Sequence, residues 1–248
     1  MEKEKFFMIP KLLQHQVASY YKKNFPKKKF VAGVTPVPVS GKVFDEKELL
    51  SGIEAVLDGW WTEGRFALEF EKEFGKFLGV KHVSLVNSGS SANLVALTAI
   101  TSPIFREKRL LPGDEVITVA TGFPTTLNPI LQNRCTAVLL DNDLVTKNVN
   151  PKDLEKAITA KTKVIMMAHT LGNLMPLDEI MRLVEKHNLW FIEDCCDALG
   201  GEYKGKLAGT FGHIATFSFY HAHQITMGEG GAVVTNNHMI HRAIRQFR

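Results

Sequence analysis

The sequence lacks the features that mark exported, membrane-spanning or disulfide-stapled proteins. Its 248 residues include three cysteines, two of them adjacent, which is too few for a disulfide framework and favours a reducing compartment. No apolar run approaches the roughly 20 residues that a membrane span needs. The amino-terminal stretch mixes acids with lysines and has no small-residue cleavage site, which argues against an export signal. We therefore expect a cytoplasmic protein without a membrane partner.

The composition is that of a folded protein with an uneven charge. A hydrophobic fraction of 45% in a chain of this length is enough for a large buried core. The net charge is +4, yet residues 1–30 hold eight lysines and two glutamates, so the rest of the chain sums to −2. This predicts a basic, partly helical extension over residues 1–37 and one large domain over residues 38–248. No nucleic-acid-binding motif accompanies the extension, so no nucleic-acid partner is expected.

The order of short strands and amphipathic helices predicts the fold class. Seven β-rich runs occupy residues 82–86, 115–120, 136–141, 163–169, 189–194, 214–219 and 231–236. Helical patterns separate the first five, which indicates crossover connections and a three-layer αβα fold around a mostly parallel, seven-stranded sheet. The last two runs are joined by a loop alone, which predicts an antiparallel edge. Two further helices are predicted near residues 44–59 and 65–79, with Asp45 as a start and Gly79 as a stop.

Polar residues cluster directly after the predicted strands, where open α/β sheets bind their ligands. After the first strand, NSGSSANLVAL (87–97) enters a helix through glycine and serine, and the backbone N–H groups of such a start suit a phosphate. A plain serine N-cap would have the same sequence. Glu193 and Asp194 end an apolar strand, where a carboxylate needs a partner. That partner is either a protonated pyridine nitrogen or a structural ion pair.

Two further candidates are weaker when taken singly. Phe123 follows the second strand and could lie on a cofactor ring, or be core. His169 ends the fourth strand and could be catalytic, or a buried histidine with ordinary hydrogen bonds.

Taken in order, five segments resemble a known family. They are NSGSSANL, DEVITVATGFPTTLN, KVIMMAHTLGN, FIEDCCDALG and SFYHAHQITMGEGG. They resemble the DegT/StrS sugar aminotransferases, which have the pyridoxal-phosphate fold of the aspartate aminotransferases, from about Pro38 to the end. AHTLGN, ED-x-CDALG and HxITMGEGG are similar to one branch, the CDP-4-keto-6-deoxyglucose 3-dehydratases of lipopolysaccharide O-antigen dideoxysugar synthesis.

The resemblance implies a role for each candidate. Gly89, Ser90 and Ser218 would bind the cofactor phosphate, and Phe123 would stack on the ring. Asp194 would pair with the pyridine nitrogen, while Asp197 and His169 would line the polar edge of the ring. His223 would be the catalytic residue, because it stands where an aminotransferase of the family has its Schiff-base lysine.

The histidine changes the expected chemistry. An imidazole cannot hold an aldehyde cofactor as an imine, but its pKa near 6.5 suits proton transfer. The resemblance therefore implies non-covalent pyridoxamine phosphate (PMP) and a lyase that dehydrates the sugar at C3 instead of aminating it.

Three other interpretations stay open. An ordinary aminotransferase that uses the aldehyde form, pyridoxal phosphate (PLP), would need a lysine from elsewhere, and Lys204 and Lys206 are the nearest. His213, His221 and His223 could instead bind a metal. The chain could also be a non-catalytic remnant or an assembly partner.

The sequence departs from the family in two respects. His221 and Gln224 replace the proline and second histidine that usually flank the key histidine. The family also continues beyond residue 248 into a smaller domain, which implies that the large domain is incomplete at its carboxyl end and has little activity alone. Cys196 matches one ligand of the branch's [2Fe–2S] cluster, which needs four ligands. We expect no cluster to assemble here. In full-length form, the resemblance implies a nucleotide-sugar substrate, a homodimer and an NADH-dependent iron–sulfur flavoprotein reductase.

Overall fold

A computed structural model describes residues 8–27, 29–38, 40 and 43–248. Contacts divide the chain into two compact units, Met1–Phe70 and Glu71–Arg248, called the first and second units below. The predicted boundary after residue 37 falls inside the first unit and stays a prediction. Residues 1–7 and 28 of the predicted extension lie outside the described residues.

The described residues of the first unit form two helices and the start of a third. They are α1 (Lys11–Asn24), α2 (Glu46–Leu57) and α3 (Arg65–Leu78), which continues into the second unit. Asp45 caps α2 as predicted: its side chain accepts the Lys47 N–H at 2.7 Å, and its own N–H is accepted by Glu48. Gly79, with φ of +70°, follows the last residue of α3, as expected for a helix stop.

The second unit is built on a seven-stranded sheet. Its strands are β1 (His82–Val86), β2 (Glu115–Val119), β3 (Thr136–Leu140), β4 (Thr162–Ala168), β5 (Trp190–Asp194), β8 (Ile214–Ser218) and β9 (Gly231–Thr235). A small antiparallel hairpin, β6 (Glu202–Tyr203) and β7 (Lys206–Leu207), stands apart from it. The order across the sheet is β1-β9-β8-β5-β4-β2-β3. The five strands from β8 to β3 are parallel, and β9 runs antiparallel to β8 and β1. The predicted fold class and the antiparallel pair are confirmed, but β1 takes the edge because β9 pairs on both sides.

Helices cover both faces of this sheet. They are α4 (Gly89–Ala99), α5 (Pro124–Gln132), α6 (Pro151–Ala157), α7 (Leu177–Lys186) and α8 (His238–Phe247), with 3₁₀ turns at Pro103–Lys108 and Thr170–Gly172. Side chains of α4, α5 and α8 form one buried core against the sheet, and side chains of α6 and α7 form a second core. We call these sides the α4 face and the α7 face. Two cores on one sheet are the three-layer arrangement that the alternating pattern predicts.

Strand alternation fixes which side chains can meet. Along β5, Trp190 and Ile192 belong to the core of the α4 face, and Phe191 belongs to the core of the α7 face. Because successive side chains of a strand point to opposite faces, Asp194 lies on the α4 face and Glu193 on the α7 face. The two adjacent carboxylates therefore contact different sets of residues, one on each face of the sheet.

Candidate functional site

The start of α4 is pressed against the end of β8. A Cβ added to Gly89 would lie 2.5 Å from the Ser218 Cβ, so only glycine allows this approach. The Ser88 hydroxyl caps the helix by accepting the Ser91 N–H at 3.1 Å. Within the described residues, the backbone N–H groups of Gly89 and Ser90 have no protein acceptor. Two free N–H groups beside the Ser218 hydroxyl form a cradle suited to a phosphate.

The start of α5 lies beside this cradle. The Ser90 hydroxyl donates to the Thr125 hydroxyl at 3.2 Å, which joins the first turns of α4 and α5. Phe123 caps α5 and is 70% exposed, so it does not belong to the core. Its ring is available to a ligand at the carboxyl edge of the sheet.

Asp194 is held on the α4 face by three donors. Its Oδ2 accepts the Asn93 side-chain amide at 2.8 Å and the Thr126 hydroxyl at 2.7 Å. Its Oδ1 accepts the Cys196 backbone N–H at 3.1 Å. The residue is only 4% exposed, and a buried carboxylate requires such partners. In the sequence, Asn93 is a polar residue within the otherwise apolar run of α4. That interruption is the signal that could have identified it.

The loop after β8 folds back over the β5–β6 segment. His223 Nδ1 lies 3.4 Å from Asp197 Oδ1, and the histidine side chain is 20% exposed. Next to it, the Gln224 side-chain amide donates to the Asp197 carbonyl at 2.5 Å. Asp197 follows Cys196, whose sulfur lines the Gly89 contact with Ser218. His223 therefore lies in a loop that contacts the segment after β5, at the carboxyl edge of the sheet, with its side chain mostly covered.

His169 is not brought to this group, which corrects its predicted placement. Its Nε2 lies 3.2 Å from Glu193 Oε2, and its Nδ1 accepts the Met175 N–H at 3.4 Å. The ring is fully buried on the α7 face, behind the sheet as seen from Asp194. His169 is thus the hydrogen-bonded buried histidine that the sequence left as its alternative role. His169, Glu193 and Cys195 form a buried cluster of possible metal ligands. The hydrogen bonds of His169 and Glu193 already explain why these two polar side chains are buried there.

The residues of two other interpretations lie elsewhere. Lys204 pairs with Asp178, and the Lys206 ammonium lies 4.2 Å from the centre of the Phe211 ring. Both lysines belong to the β6–β7 hairpin. His213 precedes β8, at the opposite end of that strand from His223, so the structure does not assemble the predicted group of three histidines.

The cysteines are thiols in poor positions to react. Burial raises the pKa of Cys195 and Cys196 well above the ordinary value, with nearby carboxylates adding to the effect. Burial, then Asp114, raises the pKa of Cys135 to about 11. Cys135 lies next to β3, away from the adjacent pair, so the three free cysteines do not form one set of cluster ligands.

Comparisons with known proteins agree with this geometry. Residues 44–248 match the model of the DegT/DnrJ/EryC1/StrS aminotransferase family. The chain is 56% identical to the lipopolysaccharide biosynthesis protein RfbH of Salmonella typhimurium, covering 94% of this chain and 53% of that protein. It is 47% identical to dTDP-4-dehydro-2,6-dideoxy-D-glucose 3-dehydratase of Saccharopolyspora spinosa, covering 97% and 53%. The structure of E. coli GDP-4-keto-6-deoxy-D-mannose-3-dehydratase with bound hydrated PLP superposes with a TM-score of 0.78, at 34% identity, over 84% of this chain and 53% of that one.

The fold and the site define an α/β protein with free backbone N–H groups at a helix start on the carboxyl edge of its sheet. The chain belongs to the DegT/DnrJ/EryC1/StrS aminotransferase family. It spans about half the length of the curated relatives it matches. In the part of the chain that the structure describes, no helix is long and apolar enough to cross a membrane.

Proposed function

We propose that this chain is the cofactor-binding part of a PMP-dependent 3-dehydratase that acts on a nucleotide-linked 4-keto-6-deoxy sugar. The observation that carries the proposal is a histidine, His223, held beside Asp197 at the edge where an aminotransferase needs a lysine. Two of the relatives are named as sugar 3-dehydratases. The name of RfbH supports a role in lipopolysaccharide synthesis. CDP-4-keto-6-deoxyglucose is the substrate that the sequence resemblance implies.

The residues of the cradle fit the cofactor. The free N–H groups of Gly89 and Ser90, with the Ser218 hydroxyl, match the acceptor oxygens of a phosphate. Asp194, on the same edge, is a carboxylate suited to a protonated pyridine nitrogen, and the exposed Phe123 ring would cover one face of the cofactor. His169 has no part in this set.

His223 supplies the base. If the Nδ1 proton of His223 points at Asp197, 3.4 Å away, then Nε2 is the basic nitrogen and can accept a proton. The bound cofactor would supply an amine for the sugar ketone and a ring that takes up electrons. His223 would take the proton whose removal sends those electrons into the ring, and the C3 hydroxyl of the sugar would leave.

Partners and location follow from the same proposal. A full-length homodimer would complete the site, and an NADH-dependent iron–sulfur flavoprotein reductase would supply the two electrons for 3-deoxygenation. Cys196 would be one cluster ligand in that longer form. Free thiols and a nucleotide-sugar substrate support action in the cytoplasm.

The second candidate function is PLP-dependent sugar amination, which the family name favours. Against it, Lys204 is paired with Asp178, and Lys206 lies over Phe211, on a hairpin whose neighbours belong to the α7 face. Asp194, by contrast, lies on the α4 face.

The test compares two vitamers and one substitution. We expect PMP to raise the melting temperature of the chain, and PLP to leave no lysine adduct after borohydride reduction. His223→Lys should create a reducible imine with PLP, detected as a borohydride-stable adduct at position 223 by mass spectrometry. His221→Lys, two residues away, is the matched control and should form no adduct.

Each contrary outcome has a clear meaning. A wild-type adduct at Lys204 or Lys206 would favour the aminotransferase. If neither vitamer shifts the melting temperature, the chain is a non-catalytic remnant or an assembly partner.

A further inference from the structure

The hydrogen bonds that Asp194 receives from the side chains of α4 and α5 both go to one of its oxygens. Asn93 and Thr126 both donate to Oδ2, at 2.8 and 2.7 Å, and both are at most 2% exposed. The donors come from two helices, α4 and α5, while Asp194 ends β5. Three elements of the second unit therefore converge on a single oxygen atom.

A fourth residue fixes the orientation of the asparagine. The Thr216 hydroxyl donates to Asn93 Oδ1 at 2.6 Å, so the amide oxygen faces β8 and the NH₂ group must face Asp194. Thr216 is fully buried, which shields this bond from water. A turned amide would place its oxygen against the Asp194 carboxylate, which only accepts, and would lose the hydrogen bond to Oδ2.

We propose that Asn93 and Thr126 are positioning residues that lock Asp194 with Oδ1 as the acceptor for the ring N–H of the cofactor. A carboxylate has about four lone-pair sites, two on each oxygen. The two donors from α4 and α5 both bind Oδ2, whereas Oδ1 accepts the Cys196 backbone N–H. The Cys196 thiol, a weak donor, also hydrogen-bonds to the carboxylate. This assignment rests on the proposed function, because it names the atom that would meet a pyridine cofactor.

The arrangement also explains why two polar side chains, Asn93 and Thr216, are buried in an apolar core. Ala92 and Ala96, neighbours of Asn93 on α4, are fully buried, and a leucine at position 93 would be the ordinary choice. A buried amide is tolerated only when its donors and acceptors are paired. Asn93 is paired on both sides, to Thr216 and to Asp194.

The experiment measures the protonation of the cofactor ring directly. PMP labelled with ¹⁵N at the ring nitrogen is bound to the purified chain, and the ¹⁵N shift is followed from about pH 6 to about pH 9. In the wild type we expect the ring nitrogen to stay protonated across this range. In Thr126→Val, which keeps the shape and removes the hydroxyl, it should lose its proton within the range, and PMP should bind about tenfold more weakly.

Thr126→Ser is the matched control, since it keeps the hydroxyl. It should restore the wild-type shift, which a merely structural role of Thr126 would not predict. If Thr126→Val binds PMP and titrates like the wild type, the inference is overturned while the proposed function stands. If the wild type does not bind PMP at all, both fail.

A second measurement needs no cofactor and no variant. In the wild-type protein alone, the side-chain N–H of Asn93 that faces Asp194 should exchange with solvent at least tenfold more slowly than those of exposed asparagines. Exchange of both Asn93 amide protons at the exposed rate would overturn the assignment, even if Thr126→Val did not fold.

Discussion

Replacing Glu193 by glutamine is expected to destabilise the second unit by about 2–4 kcal/mol. The Glu193 carboxylate is fully buried and accepts four hydrogen bonds. Oε1 accepts the N–H groups of Phe211 at 2.8 Å and Gly212 at 2.5 Å. Oε2 accepts the Gly209 N–H at 3.0 Å and faces His169 Nε2 at 3.2 Å. The loop that leads into β8 is therefore tied to β5 by one side chain.

The size of this destabilisation follows from the number of hydrogen-bond donors that would lose their acceptor in Glu193→Gln. Its oxygen can serve Phe211 and Gly212, but its NH₂ group then faces the Gly209 N–H and the His169 ring. Each hydrogen bond to a charged group contributes about 1.5–3 kcal/mol. His169 can recover part of the loss by changing tautomer, at the expense of its bond from Met175. The remaining cost is about one charged hydrogen bond and the desolvation of one donor.

Urea denaturation followed by far-ultraviolet circular dichroism measures this cost as a lower midpoint at unchanged slope. Glu155→Gln is the control, because Glu155 pairs with Lys186 at 2.7 Å on the surface, where both side chains are about half exposed. Such a pair contributes about 0.5 kcal/mol. Equal shifts for the two variants would refute the reasoning.

Three further predictions concern stability and reactivity. Burial, and then the charge of Lys108, lowers the pKa of His213 to about 4, so the folded state disfavours its protonated form. Stability present above about pH 6.5 should fall by about 2 kcal/mol as the pH drops toward about 4, and His213→Gln should reduce this loss in urea titrations. Gly89→Ala should lower stability by about 1–3 kcal/mol and weaken PMP binding, because the added methyl overlaps Ser218. Ellman's reagent should react slowly with the three thiols of the folded chain at about pH 8 and quickly with all three in urea.

Each of these has a contrary result. The same acid loss in His213→Gln as in the wild type would remove His213 as its cause. Unchanged PMP affinity in Gly89→Ala would separate the cradle from the cofactor. Rapid modification of one thiol in the folded chain would contradict the burial of the cysteines.

The sheet could be predicted because its strands are short apolar runs between helices of clear periodicity, and each predicted strand matches an observed one to within a residue. The β6–β7 hairpin has two residues per strand, too few to produce a pattern. Asp194 and Glu193 are adjacent, so alternation alone puts them on opposite faces. The sequence does not show whether His169 lies on the same face as Asp194 or as Glu193, because that depends on the register between β4 and β5. Asn93 and Thr126 were missed because their partner lies about 70 to 100 residues away along the chain.

The cradle at Gly89 has a consequence for the order of events during synthesis. Gly231 packs so closely on Ser88 that an added Cβ would lie 2.3 Å from its carbonyl oxygen, and Ser218 closes the other side. Ser218 and Gly231 follow Ser88 and Gly89 by more than 120 residues in the chain, so they are synthesised later. A nascent polypeptide that ends before β8 already has the start of α4 but lacks both the Ser218 hydroxyl and the packing of Gly231 on Ser88. Under the proposed function, the complete cradle would be available to a cofactor phosphate only after β9 has been synthesised.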